Sequence, residues 1–254
     1  MGLTLITPPD AEPITLAEAK LHCRVDGDSE DSLLTTLIRA ARLHAERETN
    51  RAIPAQTWKE TFDCFPDWYF RPLKNPLISA TSIVYTATDG TGTTLASTEY
   101  RVSAPTDSSG LIEPSYDAGA WPTAREIVDA VALTYKCGYA CTTIAAATAS
   151  GAQTVTPGSM AGILANGVLK IGVGVEQEQI TVTSVTSTTF TATFARAHIA
   201  ACKVSAVPDD IEAAIKLLIG HWYENREEAS EASLFEVPLA ARSLLQSNWT
   251  GAYA

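Results

Sequence analysis

Basic residues are scarce in this chain. Eighteen Lys and Arg stand against 29 Asp and Glu, a formal net charge of −11 over 254 residues. Proteins that grip nucleic acid by its phosphates carry a basic stripe, and none is visible here. The acidic balance does not forbid contact with DNA that slides past. Histidine is rarer still. His22, His44, His198 and His221 are the four present, and none stands in a metal-ligand spacing. Five scattered cysteines, Cys23, Cys64, Cys137, Cys141 and Cys202, are not a disulfide framework. No run of about 18 apolar residues occurs, which leaves no membrane span to expect. The opening Met-Gly-Leu-Thr-Leu-Ile-Thr-Pro-Pro-Asp has neither a basic region nor a long apolar one, so no signal peptide is expected. What remains is an ordinary globular composition, 46% hydrophobic and 19% charged. It suits one large domain or two smaller ones, made in a reducing cytoplasm.

Thr15-Leu16-Ala17-Glu18 reads as a capping box opening a short helix to about Arg24. After the turn at Asp26–Ser29, Leu33, Leu34, Leu37, Ile38, Ala41 and Ala45 recur at helical spacing, and Asn50 suits a left-handed end. Beyond Ile53-Pro54 the chain turns to Thr, Val, Ile and aromatic residues. Trp58–Phe65, Ser82–Ala87, Tyr100–Ser103 and Ile127–Tyr135 read as strands, with Asp89-Gly90-Thr91-Gly92 at a hairpin tip. Residues 142–206 are poor in charge and carry strands at Val168–Ile171, Gln179–Val185 and Thr188–Phe194, with Ile180, Val182 and Val185 on one face. At Pro208-Asp209-Asp210 a helix begins and is expected to reach about Glu228. Pro238–Leu245 reads as a short amphipathic helix.

The expected fold is therefore α+β: a helical bundle from the N-terminal hairpin and the C-terminal helices, with inserted antiparallel β domains. The expected division is 1–53 plus 207–254 (helical), 54–141 (β-rich) and 142–206 (a small inserted β module). Chain ends in one domain often lie close together, which allows the first and last segments to share a core. That core should draw on Leu33, Leu37, Ile38, Ala41, Ile215, Leu218 and Trp222.

Chemistry is thin. Cys137-x-x-x-Cys141 is a weak redox or metal signal, better read as small buried residues. His221 and Glu224 share a helix face but read as solvated. Gly167, Gly172 and Gly174 lack the following helix and Lys-Ser/Thr pair of a phosphate loop. Carboxylates are too many for spacing to single out a dyad. No catalytic, metal or cofactor residue is assigned.

Pro13-Ile14-Thr15-Leu16-Ala17-Glu18-Ala19-Lys20, Arg24-Val25-Asp26, Leu33-Leu34, Ala40-Ala41-Arg42, Glu46 and Asn50-Arg51 together resemble the opening of phage head–tail connector (adaptor) proteins. Pro208-Asp209-Asp210-Ile211, Ala213-Ala214-Ile215 and His221-Trp222-Tyr223-Glu224-Asn225-Arg226-Glu227 resemble their closing helix. The middle, with Trp58, Pro76-Leu77 and Trp121-Pro122, resembles the long members that carry a β domain between the helices. Residues 142–206 depart from that pattern. The resemblance implies a virion protein made in the bacterial host cytoplasm. It implies a dodecameric ring of identical subunits, touching the portal protein on one side and a tail-side stopper or tail completion protein on the other. DNA would pass through the lumen without specific binding, and there would be no catalysis, cofactor or membrane.

The apolar tail residues Leu239, Leu244, Leu245, Trp249 and Tyr253 should either fold back on their own subunit or bury themselves in a partner. Partner contact is the favoured expectation, because Trp and Tyr are common interface anchors. Truncation after Glu236 is expected to spare the fold and abolish assembly. The alternative from another class is a β-rich carbohydrate-binding or adhesin module resting on exposed aromatics. Retention of a monomer on a glycan column would favour it.

Overall fold

The computed structural model describes residues 2–104, 109–225 and 239–249. The chain divides into two compact units, Ala55–Gly138 with the residues through Pro9, and Asp10–Pro54 with Tyr139–Trp249.

In the first unit the strands are β1 (Gly2–Thr7), β2 (Gln56–Phe62), β3 (Leu77–Thr86), β4 (Gly92–Thr94), β5 (Tyr100–Ser103), β6 (Leu111–Pro114) and β7 (Val131–Cys137). Five form an antiparallel sheet in the order β1-β2-β7-β3-β4, and β5 pairs with β6. The alternation read in the sequence is plainest in β7, where Val131, Leu133, Tyr135 and Cys137 all point inward. Gly90 at the β3–β4 tip has φ +92°, a left-handed conformation that suits glycine. Strand β1 has no counterpart in the sequence reading. All six of its residues are exposed, so there was no buried face to set a pattern.

Glu60 on β2 is wholly buried. Its Oε1 accepts from the Tyr135 hydroxyl and, at 2.7 Å, from the Leu73 amide. Its Oε2 has no hydrogen-bond partner among the described residues. Burial pushes the Glu60 carboxyl up, and these hydrogen bonds only partly offset that. A carboxyl whose folded pKa exceeds its unfolded value of about 4.3 adds stability below that value. It loses that stability as pH rises through the folded pKa. Glu60→Gln, which cannot ionise, should therefore narrow the drop in Tm between pH 4.5 and pH 8 relative to the parent. An unchanged drop would show that the Glu60 carboxyl has the same pKa folded as unfolded.

The second unit holds α1 (Leu16–Cys23), α2 (Asp31–Thr49), β8 (Cys141–Thr143), β9 (Gly151–Val155), β10 (Val168–Ile171), β11 (Glu178–Val185), β12 (Phe190–Phe194), β13 (Lys203–Ser205), α3 (Asp209–Glu224) and α4 (Leu239–Gln246). The capping box forms: the Glu18 amide donates to Thr15 Oγ1 at 3.2 Å, and the Thr15 amide donates to Glu18 Oε2 at 2.9 Å. Arg24 and Asn50 end α1 and α2 in left-handed conformations. The β strands form one antiparallel sheet, β8-β13-β10-β11-β12-β9.

The helices make the bundle expected from their apolar faces. Leu34, Ile38, Ala41 and Ala45 of α2 meet Ile211, Ala214, Ile215, Leu218 and Ile219 of α3 in one core, with Leu37 and Trp222 half-buried against it. Leu33 is only half-buried, and Leu34 takes the deep position instead. The sheet has its own core, built on Leu169, Ile171, Ile180, Val182, Phe190 and Phe194. Val185 is exposed, although the register shift between Val182 and Ser184 pairs it with the buried Phe190 at the end of β11. Helix α3 stops at Glu224 rather than Glu228. Asn225 caps it, its side-chain amide donating to the His221 carbonyl at 2.8 Å. Glu227, Glu228 and Glu231 lie outside the described residues.

Candidate partner-binding surface

Helix α4 holds Leu239, Leu244 and Leu245 of the tail residues singled out in the sequence, and Trp249 follows it. Ala241 and Leu245 are fully buried in the helix core, and Leu244 is half-buried against it. Leu239 is 74% exposed and Trp249 is 56% exposed. Tyr253 lies outside the described residues. The end of α4 is pinned by polar contacts. Arg51 Nε donates to the Asn248 carbonyl at 2.6 Å, and the Asn248 side-chain amide donates to Asp210. Arg51 is itself buried and donates from Nη1 to the Tyr139 hydroxyl at 2.5 Å. Truncation after Glu236 therefore removes part of the core, contrary to expectation. Only point changes at Leu239 and Trp249 separate docking from folding.

The same unit contains an ion network that joins sheet to helices. Lys203 of β13 donates to Glu18 Oε2 at 3.0 Å, Glu212 Oε1 at 3.2 Å and the Pro13 carbonyl at 2.6 Å. Lys170 of β10 donates to Glu212 Oε2 at 2.7 Å and Asp209 Oδ1 at 2.8 Å. Lys216 lies 3.2 Å from Glu18 Oε1, and Ser205 Oγ donates to Glu212 Oε1 at 2.9 Å. Burial alone would raise the Glu18 carboxyl, but Lys203 and the Thr15 amide outweigh it and hold it below the usual carboxylate range. Burial likewise works against the Lys203 ammonium, yet Glu212 and Glu18 hold its pKa up. The sequence reading passed over this network. Its one signal was the pair of lysines in a stretch otherwise almost free of charge.

The remaining chemical candidates resolve into structure. Cys137 and Cys141 fall in different compact units. Cys141 donates to the Glu12 carbonyl at 3.1 Å, and burial pushes its thiol up to about 12. The His221 ring lies beside Asn225, and Glu224 is exposed. Gly172 and Gly174 have positive φ and lead into a single turn, Gly174–Glu176, too short for an anion site. Among the described residues no group of three or more His, Cys, Asp or Glu could hold a metal ion, and no helix is long and apolar enough to cross a membrane.

Residues 13–67, which contain α1, α2 and β2, match the model of the phage gp6-like head-tail connector protein family. No curated protein matches the chain. Solved structures do. A chain from the virion of a native gene transfer agent (GTA) particle is 16% identical, with a TM-score of 0.61. A chain from the neck of an empty GTA particle, computed with C6 symmetry, gives 0.62 at the same identity. One from the neck of a native GTA particle, computed with C12 symmetry, gives 0.59. Each alignment covers 100% of this chain and 98% of the other. At this identity the likeness is one of fold, and it spans both compact units. Residues 13–67 thus match the phage gp6-like head-tail connector model, in a chain whose whole fold resembles that of chains in gene transfer agent particles.

Proposed function

We propose that this chain is the subunit of a head–tail connector ring, a structural part of a virion neck and not an enzyme. The observation that carries this reading is the connector match over residues 13–67, within a fold that matches GTA-neck chains over 100% of its length. The C6 and C12 symmetries of those necks belong to those particles, and they support a dodecamer here. A closed ring needs two different, complementary faces on each subunit. The net charge of −11 suits a lumen through which DNA passes without adhering. The proposed partners are further copies of the chain, the portal protein and a tail-side stopper or tail completion protein. The place of synthesis is the host cytoplasm, and no cofactor is required. The division into 1–53 plus 207–254, 54–141 and 142–206 is likewise proposed, as a statement of what folds alone.

Leu239 and Trp249 are the proposed portal contacts, being the exposed apolar members of the tail set. The double change Leu239→Ser, Trp249→Ser should leave the thermal melt unchanged and reduce co-sedimentation with portal at least tenfold. Full co-sedimentation would move the docking surface elsewhere. Retention of the parent as a monomer on a glycan column would favour the carbohydrate-binding alternative instead.

A further inference from the structure

One group of reactive side chains in the second unit has no part in the connector reading. Cys202 immediately precedes β13, His198 lies four residues earlier, and Glu178 opens β11. His198 Nε2 is 2.6 Å from Glu178 Oε1, and Nδ1 is 3.8 Å from Cys202 Sγ. The Ala195 and Arg196 amides also donate to Glu178, at 2.8 and 3.3 Å. Burial works against the Glu178 charge, but His198 and these amides hold its carboxyl below the usual range. A carboxylate only accepts hydrogen bonds, so Nε2 carries a proton, and in the neutral imidazole the Nδ1 lone pair faces the thiol. The His198 side chain is 2% exposed, and Phe194 packs 5.9 Å from its ring.

A histidine that merely tied β11 to the neighbouring turn would need only Glu178. Two further features go beyond that role. The second ring nitrogen is aimed at sulfur, and the half-buried Cys202 lines a cavity of about 540 Å³. Ala17, Val173, Ile199 and Ala201 are among its walls, and the volume falls in the usual range for small-molecule sites. Burial pushes the Cys202 thiol up, so it rests as S–H and needs a base to react. Thiol, imidazole and carboxylate in line are the arrangement that supplies one.

We propose that Cys202 is a base-assisted nucleophile that takes an uncharged α,β-unsaturated carbonyl compound in this cavity. Sulfur bonds to the β-carbon, and the thiol proton passes to His198 Nδ1. The imidazolium then returns that proton to the α-carbon of the enolate. Nothing leaves, and no oxidant or reductant is consumed. Glu178 acts through His198 as a positioning residue.

The test is to treat the full chain with limiting N-ethylmaleimide at pH 7 and to follow each cysteine by peptide mass spectrometry. Cys64 is exposed and serves as the internal reference. Cys202 should be labelled about tenfold faster than Cys64, a modest share of what a positioned base can supply. His198→Gln should abolish that advantage while leaving the Cys64 rate and the circular dichroism unchanged. Should His198→Gln fail to fold, Glu178→Gln is expected to lower the Cys202 rate in the same direction. Labelling of Cys202 in the parent chain no faster than Cys64 overturns the proposal without any variant. An undiminished rate in a folded His198→Gln chain overturns it equally.

Discussion

Glu212→Ala should destabilise the chain by about 3 kcal/mol in urea unfolding. Glu212 is 6% exposed and receives Lys170, Lys203 and Ser205. Removing one member of a buried ion pair costs about 3–5 kcal/mol, because the partner stays buried without compensation. The low end applies here, since Lys203 keeps Glu18 and Lys170 keeps Asp209. Glu212→Gln retains an acceptor for Ser205 and should cost less than Glu212→Ala. Equal stability of parent and Glu212→Ala would mean that the network's desolvation cancels its attraction. The same network bears on excising residues 142–206. That deletion removes Lys170 and Lys203 together, leaving Glu18 with Lys216 and stripping both lysines from Glu212. A chain with 142–206 replaced by a short Gly/Ser linker should keep its helical circular dichroism better with Glu212→Gln than without it. Insoluble protein from both forms would count against the proposed division.

Leu218→Ala is the second large effect, about 2–5 kcal/mol. Leu218 is fully buried between α2 and α3 in the core that also takes Ala241 and Leu245. Truncation there loses apolar contact and leaves a cavity that close packing fills only partly. Whole domains are stable by about 5–15 kcal/mol, so this single change would be plain in any unfolding curve. Leu33→Ala, at a half-buried position with similar helical spacing, should cost well under half as much. Equal costs at Leu33 and Leu218 would mean that the two helices do not share this core.

The bundle was legible because its two halves each carry a one-sided apolar face. A face such as Ile211, Ala214, Ile215 and Leu218 needs cover wherever the partner lies in the chain. Local caps were legible too: Thr15 with Glu18, and Asn50, act within a few residues and leave a direct mark. Strand β1 was not, since its pairing with β2 lies some fifty residues away and buries none of its side chains. The register shift between Val182 and Ser184 was not legible either, because register is set by the partner strand; Val185 lies beyond it, exposed at the end of β11. The ion network was hidden for the same reason. Glu18 and Lys203 are far apart in the chain, and a charge on a helix reads as solvated until the sheet above it is in place. The tail set was half legible: amphipathic spacing identified α4, but which apolar residues turn inward depends on the docking of α4 onto α2 and α3.

The central claim is the connector ring, and electron microscopy of the purified chain mixed with its portal tests it most directly. The account predicts end-on views of a closed ring seated on the portal, with twelve copies per ring. Single 27.0 kDa particles that never join the portal at any concentration would contradict it.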